Sequence, residues 1–486
     1  QRSSIMVFSS LVFLCIFLPL TLAVYYAVPA RWRNSVALAA SLFFYAWGAP
    51  RFILILVASS IVDYVASRHL APDAKRGAAW RHGILSLTIA TNLSAFLYFK
   101  YMNFFVEQVN RALGCTGHAG ITWQEVLLPI GISFFTFQKL SYLIDVYRGN
   151  ARPARSLPDY LLYVSLFPQL IAGPIVRYHD VALQLESRTY RAERFLEGVW
   201  RFCFGLGRKV LIANVLGGIA DKAFDPEVAT LTPQVAWLGA LCYSFQIYFD
   251  FSGYSDMAIG LGKMLGLDFL ENFNFPYVSA SFSEFWRRWH ISLSNWMREY
   301  LYIPLGGNRV PAWRKSFNLW FVFLISGFWH GASWNFVLWG AYHGTFLSLD
   351  KLVERRGWPR PHRIVAVPAT FLLVTIGWVF FRTETLAEAV RFLMCMAGRT
   401  KGVVADMPDE ALMGPYAWIV LGVAVLLSLA PIIKGSAVLK DWPIEGCSLR
   451  DHLRVTMRFL LSVVLLVCSL FCLIAGQFNP FIYFRF

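Results

Sequence analysis

His330 stands in the run Ser326-Gly-Phe-Trp-His330-Gly-Ala-Ser-Trp334, inside an apolar stretch from Phe317 to Leu349. A stretch of that length and composition can cross a bilayer, so the imidazole is expected at membrane depth. An ionisable side chain there is costly to bury and marks a functional site. Gly327 and Gly331 flank it, and each glycine costs a helix roughly 1 kcal/mol against alanine. The two missing side chains would open room beside the imidazole for another backbone or for a substrate chain. A buried neutral histidine suits a general base that takes a proton from a hydroxyl or thiol during acyl transfer. The alternative is a core histidine satisfied by a backbone carbonyl.

His290 and His343 also lie in membrane-associated segments. His69, His82, His118, His179, His362 and His452 lie in or near loops, where solvated or structural roles are expected. His330 and His343 are 13 residues apart, a rotation of roughly 220° on a continuous helix. They are therefore expected on nearly opposite faces, which disfavours a shared metal. There is no His-Glu-x-x-His, and no metal site is expected. The eight cysteines (15, 115, 203, 242, 395, 447, 468 and 472) form no Cys-x-x-Cys pair and read as buried small hydrophobes. Neither a phosphate-binding Walker loop nor a G-x-S-x-G elbow nor a dinucleotide fingerprint occurs, so ATP hydrolysis and serine-hydrolase chemistry have no support.

A second polar island is Tyr248-Phe-Asp250-Phe-Ser252-Gly-Tyr254-Ser-Asp256. Two carboxylates between apolar runs need partners or water. Asp250 and Asp256 would line an aqueous opening, or pair with Arg287 or Arg288 at an ion-paired helix break. Ser281-Phe-Ser-Glu284 fits a capping box. The helix it starts is expected to carry Trp286, Trp289, His290 and Leu293 on one face, with Arg287 and Arg288 beside that stripe. Such a helix is interfacial or partly buried, a surface anchor being the plainer reading.

The elements that must hold these groups are membrane helices. Of 486 residues, 57% are hydrophobic and 15% charged. Runs near the ~20 apolar residues of a span recur from end to end, giving about eleven to thirteen membrane segments, some short or re-entrant. Helices are expected at about 7–28, 35–47, 51–67, 84–106, 124–147, 159–173, 196–223, 233–251, 254–267, 282–301, 317–349, 364–381, 413–433 and 455–476. Pro129-Ile-Gly131 should break the fifth, and 177–195 and 398–412 read as loops or surface helices. Residues 1–5 read as an expression scar or a misassigned start, and 6–486 as a single membrane domain. The run 7–28 has no small-residue cleavage site and reads as a first span rather than a removed signal. The net charge of +15 is not a nucleic-acid signal, because the basic residues fall in short loops. By the positive-inside rule the N-terminus faces outward, 29–34 inward, 48–51 outward, 68–83 inward and 107–123 outward.

Trp286-Arg-Arg-Trp-His290-Ile-Ser-Leu-Ser294 and Ser326-Gly-Phe-Trp-His330-Gly together resemble the membrane-bound O-acyltransferase (MBOAT) family, in its bacterial polysaccharide branch of alginate O-acetyltransferases. Met6-Val-Phe-Ser-Ser10, Ala172-Gly-Pro174, Asp250-Phe-Ser-Gly-Tyr-Ser-Asp256, Pro304-Leu-Gly-Gly-Asn308 and Asn479-Pro-Phe-Ile-Tyr-Phe-Arg485 resemble the same branch. The resemblance implies an all-α polytopic membrane protein, a ring of transmembrane and re-entrant helices around a central funnel or tunnel. It matches His330 to the family's catalytic histidine. His290 matches a second active-site position, which is asparagine in many eukaryotic relatives. Trp286, Trp289, Trp329, Asp250, Asp256 and Asn308 are expected to line the substrate path.

The mechanism it implies needs no bound cofactor. A cytoplasmic acyl thioester, acetyl-CoA, donates the group, with Arg314, Lys315 and the 351–363 cluster as candidates for its phosphates. His330 would activate the acceptor, and His290 would position the thioester or stabilise the developing oxyanion. The expected partners are the lipid bilayer of a bacterial inner membrane and periplasmic acetyl-transfer proteins of a polysaccharide acetylation complex, similar to AlgJ, AlgX and AlgF. Other acceptors within the family are cellulose, peptidoglycan and teichoic acid. Outside it, a transporter or flippase with broken helices, or a non-catalytic scaffold of an export complex, would share several of these features.

Overall fold

The computed structural model describes residues 6–73, 77–171, 173–225, 231–399, 413–432 and 449–476. Residues 1–5, Lys75, Arg76, Ala172, the stretch 400–412, Cys447 and the motif at 479–485 lie outside the described residues, as does the side chain of His452. Every regular element among the described residues is a helix. In hydrocarbon a helix satisfies all its backbone polar groups internally, whereas an open sheet edge cannot. The chain divides into two compact units, residues 1–198 with 261–270, and 199–260 with 271–486.

The first unit contains α1 (Leu18–Ala27), α2 (Arg33–Gly48), α3 (Ile53–Ser67), α4 (Ala78–Cys115), α5 (Ile132–Arg148), α6 (Leu157–Ser165), α7 (Phe167–Leu170) and α8 (Tyr178–Glu186). A π-helical turn, Phe13–Phe17, precedes α1. The break expected at Pro129-Ile-Gly131 is where α5 starts. Gly131 has φ of +75°, and a Cβ there would lie 2.6 Å from the Leu170 carbonyl oxygen. Only glycine suits both conditions. Inside this unit Lys139 and Asp63 form a fully buried ion pair at 3.0 Å, and Asn92 donates to the same carboxylate at 2.8 Å. The expected surface segment holds α8, where His179 Nδ1 meets Asp145 at 2.7 Å.

The second unit holds most of α9 (Ala192–Gly207), then α10 (Asn214–Ala223), α11 (Pro233–Met264), α12 (Phe282–Arg288), α13 (Ile291–Met297), α14 (Ala312–His330), α15 (Trp334–Arg356), α16 (Arg363–Arg382), α17 (Leu386–Met396), α18 (Pro415–Ser428) and α19 (Leu449–Ile474). The two helices expected at 233–251 and 254–267 are one. Gly253 is not a break: a Cβ there would meet the Gly205 carbonyl oxygen at 2.7 Å, so the glycine lets α11 touch α9. The runs 282–301 and 317–349, each expected as one helix, are both interrupted, and each interruption carries a candidate histidine.

Among the described residues, four stretches are long and apolar enough to span a membrane by length and composition: Ala78–Cys115, Ala192–Ala223, Arg363–Arg382 and Leu453–Ile474. Phe13–Ala27, Ile53–Ser67 and Pro415–Ser428 are shorter apolar helices. Only 11% of the most apolar window of Leu453–Ile474 is buried within the protein, as suits a helix whose neighbour is lipid. The chain is an all-α polytopic membrane protein. The cysteines divide accordingly. Cys203, Cys242 and Cys395 are buried as expected, whereas Cys15, Cys115 and Cys468 are exposed and Cys472 is half-buried. Their apolar runs supply outward helix faces, which sequence apolarity alone does not distinguish from the core.

Candidate active site

His330 is the last residue of α14. Gly331 is extended, with φ of −164° and ψ of 150°, and after Ser333 the chain turns back as α15. The apolar run is thus a helical hairpin with the imidazole at its tip. The glycines make the hairpin close. A Cβ on Gly327 would lie 2.2 Å from the Phe336 carbonyl oxygen, and one on Gly331 would lie 2.1 Å from the Phe336 ring. Of the two uses considered for that room, the structure shows packing by the protein's own returning helix. His330 is buried. Its ring stands roughly perpendicular to Trp339 at 5.1 Å, and contacts Trp329 at 4.9 Å and Phe381 at 5.3 Å between centroids.

The hairpin overturns one step of the sequence reasoning. The rotation separating His330 from His343 presumed a continuous helix. Because the helix ends at His330, His343 also lies against Trp339, at 4.7 Å. The Trp286 indole N–H donates to His343 Nδ1 at 3.3 Å. Among the described residues no three His, Cys, Asp or Glu side chains gather as a metal would require.

His290 is placed by a second interruption. Ser281 caps α12 by accepting from the Glu284 N–H at 3.1 Å, as expected. The Glu284 carboxylate accepts in return from Ala280 N–H at 2.9 Å, one residue earlier than the ideal capping box. α12 then stops at Arg288, Trp289 is extended, and His290 adopts a left-handed backbone with φ of 44° and ψ of 55°. The expected single face of Trp286, Trp289, His290 and Leu293 therefore does not exist. His290 Nδ1 lies 3.1 Å from Asn272 Oδ1, and its ring meets the edge of Phe251 at 4.7 Å. Its Nε2 is buried and meets no hydrogen-bonding group among the described residues.

Rings join the two positions. Trp289 packs on Trp378 at 4.9 Å, Trp378 on Trp339 at 5.9 Å, and Trp339 on His330 at 5.1 Å. Trp286, Trp289 and Trp329 are all buried in or against this aromatic mass. Asn308 is exposed on a turn, accepting from the Tyr302 hydroxyl at 2.9 Å, outside the mass. The opposite ends of α14 and α15 carry the basic residues. Arg314, Lys315, Arg355 and Arg356 lie at the open end of the hairpin, roughly 24 Å along α14 from His330 at 1.5 Å per residue.

Asp250 and Asp256 are ion-paired, but neither pairs with the arginines proposed from sequence. Asp250 meets Lys209 at 2.6 Å, both fully buried. Asp256 takes Arg208 at 2.6 Å and Arg201 at 2.7 Å, and Arg201 also holds Glu271 at 2.6 Å. Arg288 instead binds Glu284 and the Asn274 carbonyl, and Arg287 is exposed. Arg201, Arg208, Asp256, Ser252 and Asn272 line a small cavity of about 70 Å³. Asn272 therefore connects His290 to that cavity. It was missed by the sequence reasoning, and so were Arg201 and Arg208. An asparagine in a loop and arginines in an amphipathic helix carry no local mark of such contacts.

The family model described as MBOAT, membrane-bound O-acyltransferase family, matches residues 79–383. The chain is 46% identical over 403 residues to the probable alginate O-acetylase AlgI of Azotobacter vinelandii, covering 83% of this chain and 80% of that protein. Against the probable alginate O-acetylase AlgI of Pseudomonas putida the identity is 40%, over 99% of this chain and all of the relative. It is also 36% identical to the peptidoglycan O-acetyltransferase of Helicobacter pylori, across 84% of this chain and 83% of that one.

Proposed function

The chain belongs to the membrane-bound O-acyltransferase family and is an O-acyltransferase, and from that premise we propose that it moves an acetyl group from a cytoplasmic thioester, acetyl-CoA, across a bacterial inner membrane. The final acceptor in this reading is a hydroxyl of an exopolysaccharide such as alginate, reached through periplasmic acetyl-transfer proteins. The observation that carries it is His330 buried at the tip of the α14–α15 hairpin, with the basic residues at the other end. Those residues suit the phosphates of the donor, and the length of the hairpin separates them from the chemistry.

His330 takes the proton of the acceptor hydroxyl as its oxygen attacks the acetyl carbonyl carbon. The carbon–sulfur bond breaks, and the departing thiolate receives that proton from His330. An ester and a free thiol result, with no redox change. Proton transfer of this kind contributes typically about 10²–10⁴-fold. The test is His330→Ala in membranes supplied with acetyl-labelled acetyl-CoA. Transfer of label to the acceptor should vanish while the amount of protein in the membrane stays normal, and retained transfer would overturn the assignment. The likeness to a peptidoglycan O-acetyltransferase favours peptidoglycan as the second acceptor to supply in the same assay.

A further inference from the structure

We infer that Asn272 fixes the tautomer of His290, leaving Nε2 as a bare acceptor for the proton of a hydroxyl or thiol, and that Asn272 is thereby a positioning residue for the transfer. Ser292 N–H, which can only donate, lies 3.2 Å from the Asn272 side-chain oxygen. That contact identifies which end of the Asn272 amide is oxygen. At the other end Asn272 Nδ2 donates to Ser255 Oγ at 3.1 Å. Asn272 Oδ1 can only accept, so at 3.1 Å from it His290 Nδ1 must carry the proton.

Ser292 Oγ supports the same assignment. Its proton goes to Asn272 Oδ1 at 2.9 Å. Towards His290 Nδ1, at 3.5 Å, that hydroxyl then presents only a lone pair. Both neighbours of Nδ1 are acceptors. A neutral imidazole carries one ring proton, so Nε2 has none. That nitrogen is buried and meets no partner among the described residues. A buried lone pair held in place by two acceptors on the far side of the ring is arranged to accept a hydrogen bond from a hydroxyl or thiol.

This revises the role expected for His290. An unprotonated Nε2 cannot donate to an oxyanion, so the side chain is suited to accept a hydrogen bond from a protic group of the bound acceptor other than the hydroxyl whose proton His330 takes. Asn272 does not touch the reacting atoms. It acts through His290, as the orienting partner of a catalytic histidine acts elsewhere. The inference rests on the reading of the chain as an acetyltransferase that uses His290.

The test uses the full chain in detergent with ¹⁵N-labelled histidine imidazoles, the His290 signals being assigned by difference against His290→Gln. Nδ1 should resonate as a protonated nitrogen and Nε2 as an unprotonated one, and Asn272→Leu should shift the balance towards the other tautomer. In the transfer assay Asn272→Leu should lower kcat on the order of 10²-fold with KM within about twofold. Asn272→Asp, which keeps the acceptor, should recover most of that loss. A protonated Nε2 in the wild type, or an unchanged tautomer in Asn272→Leu, overturns the inference even if His290→Ala abolishes transfer. Full activity of His290→Ala would remove the acetyltransferase role of His290 while leaving the tautomer as observed, so the two failures are distinguishable.

Discussion

Gly327 of α14 lies against Gly340 of α15 so closely that a Cβ on Gly327 would come within 3.2 Å of the Gly340 Cα. The obstructing atoms are backbone, which cannot rotate away. Gly327→Ala and Gly340→Ala should each force the two helices apart and displace the tip that carries His330. Overpacking of this kind costs about 1–3 kcal/mol. Both variants should unfold at lower temperature in detergent and transfer acetyl at least about tenfold more slowly. Gly218, where a Cβ would meet nothing within 4 Å, is the control. Gly218→Ala should leave activity intact and raise stability by up to ~1 kcal/mol.

Lys209 and Asp250 should behave as an inseparable pair. Lys209→Met alone strands a carboxylate in the interior, a loss of about 3–5 kcal/mol. Combining it with Asp250→Leu should regain most of that stability, because an apolar pair of similar volume needs no desolvation of charge. Lys209 also donates to Asn214 at 3.0 Å, so the rescue should be incomplete. A double variant no more stable than Lys209→Met would show that the ion pair is not what sustains this part of the unit.

Local sequence information marks some of these features and not others. Ser281 and Glu284 could be read as a cap because the capping bonds lie within four residues. The breaks after His330 and before His290 could not, since the flanking runs are apolar throughout and period alone cannot distinguish one long helix from two short ones. The need of Asp250 and Asp256 for partners was legible from the desolvation of their charge. Their choice of Lys209, Arg201 and Arg208 was not, because nearer arginines competed in sequence and only the packing of α11 on α9 and on the π-helical turn Arg208–Ala213 decides. The division expected between 251 and 254 is absent, because Gly253 is a helix contact rather than a break. Polytopic all-α structure was legible at once, because apolarity of that extent admits no other solvent.

Outside the membrane-spanning helices, His179 supplies a pH-dependent contribution. Its hydrogen bond to Asp145 raises its pKa above the usual histidine value, against the opposing effect of partial burial. A raised folded-state value means that the contribution is complete below the unfolded value of ~6.5. It fades as pH rises through the higher folded value. The wild type should therefore exceed His179→Gln in stability by about 0.5–1 kcal/mol near pH 5.5. The gap should close on the alkaline side, as thermal unfolding across pH would show. A gap that widened with pH would contradict the sign.

His290→Ala should reduce acetyl transfer by on the order of 10²–10⁴-fold without loss of protein from the membrane. Initial rates with labelled acetyl-CoA, normalised to the amount of chain, measure this directly. Unchanged turnover would leave His290 a structural residue of the loop that Asn272 organises.

The left-handed backbone at His290 acts as a filter on heredity as well as on shape. Few side chains enter that conformation easily; asparagine, aspartate and histidine do so more readily than others, and β-branched residues hardly at all. A single-nucleotide or designed change at this position thus meets a backbone test before any chemical one. Histidine and asparagine both tolerate this φ, but the asparagine amide nitrogen only donates, whereas the bare Nε2 of His290 only accepts. A saturation library at residue 290 should return histidine and asparagine among its folded members far more often than valine, isoleucine or threonine, whatever acceptor the enzyme is given.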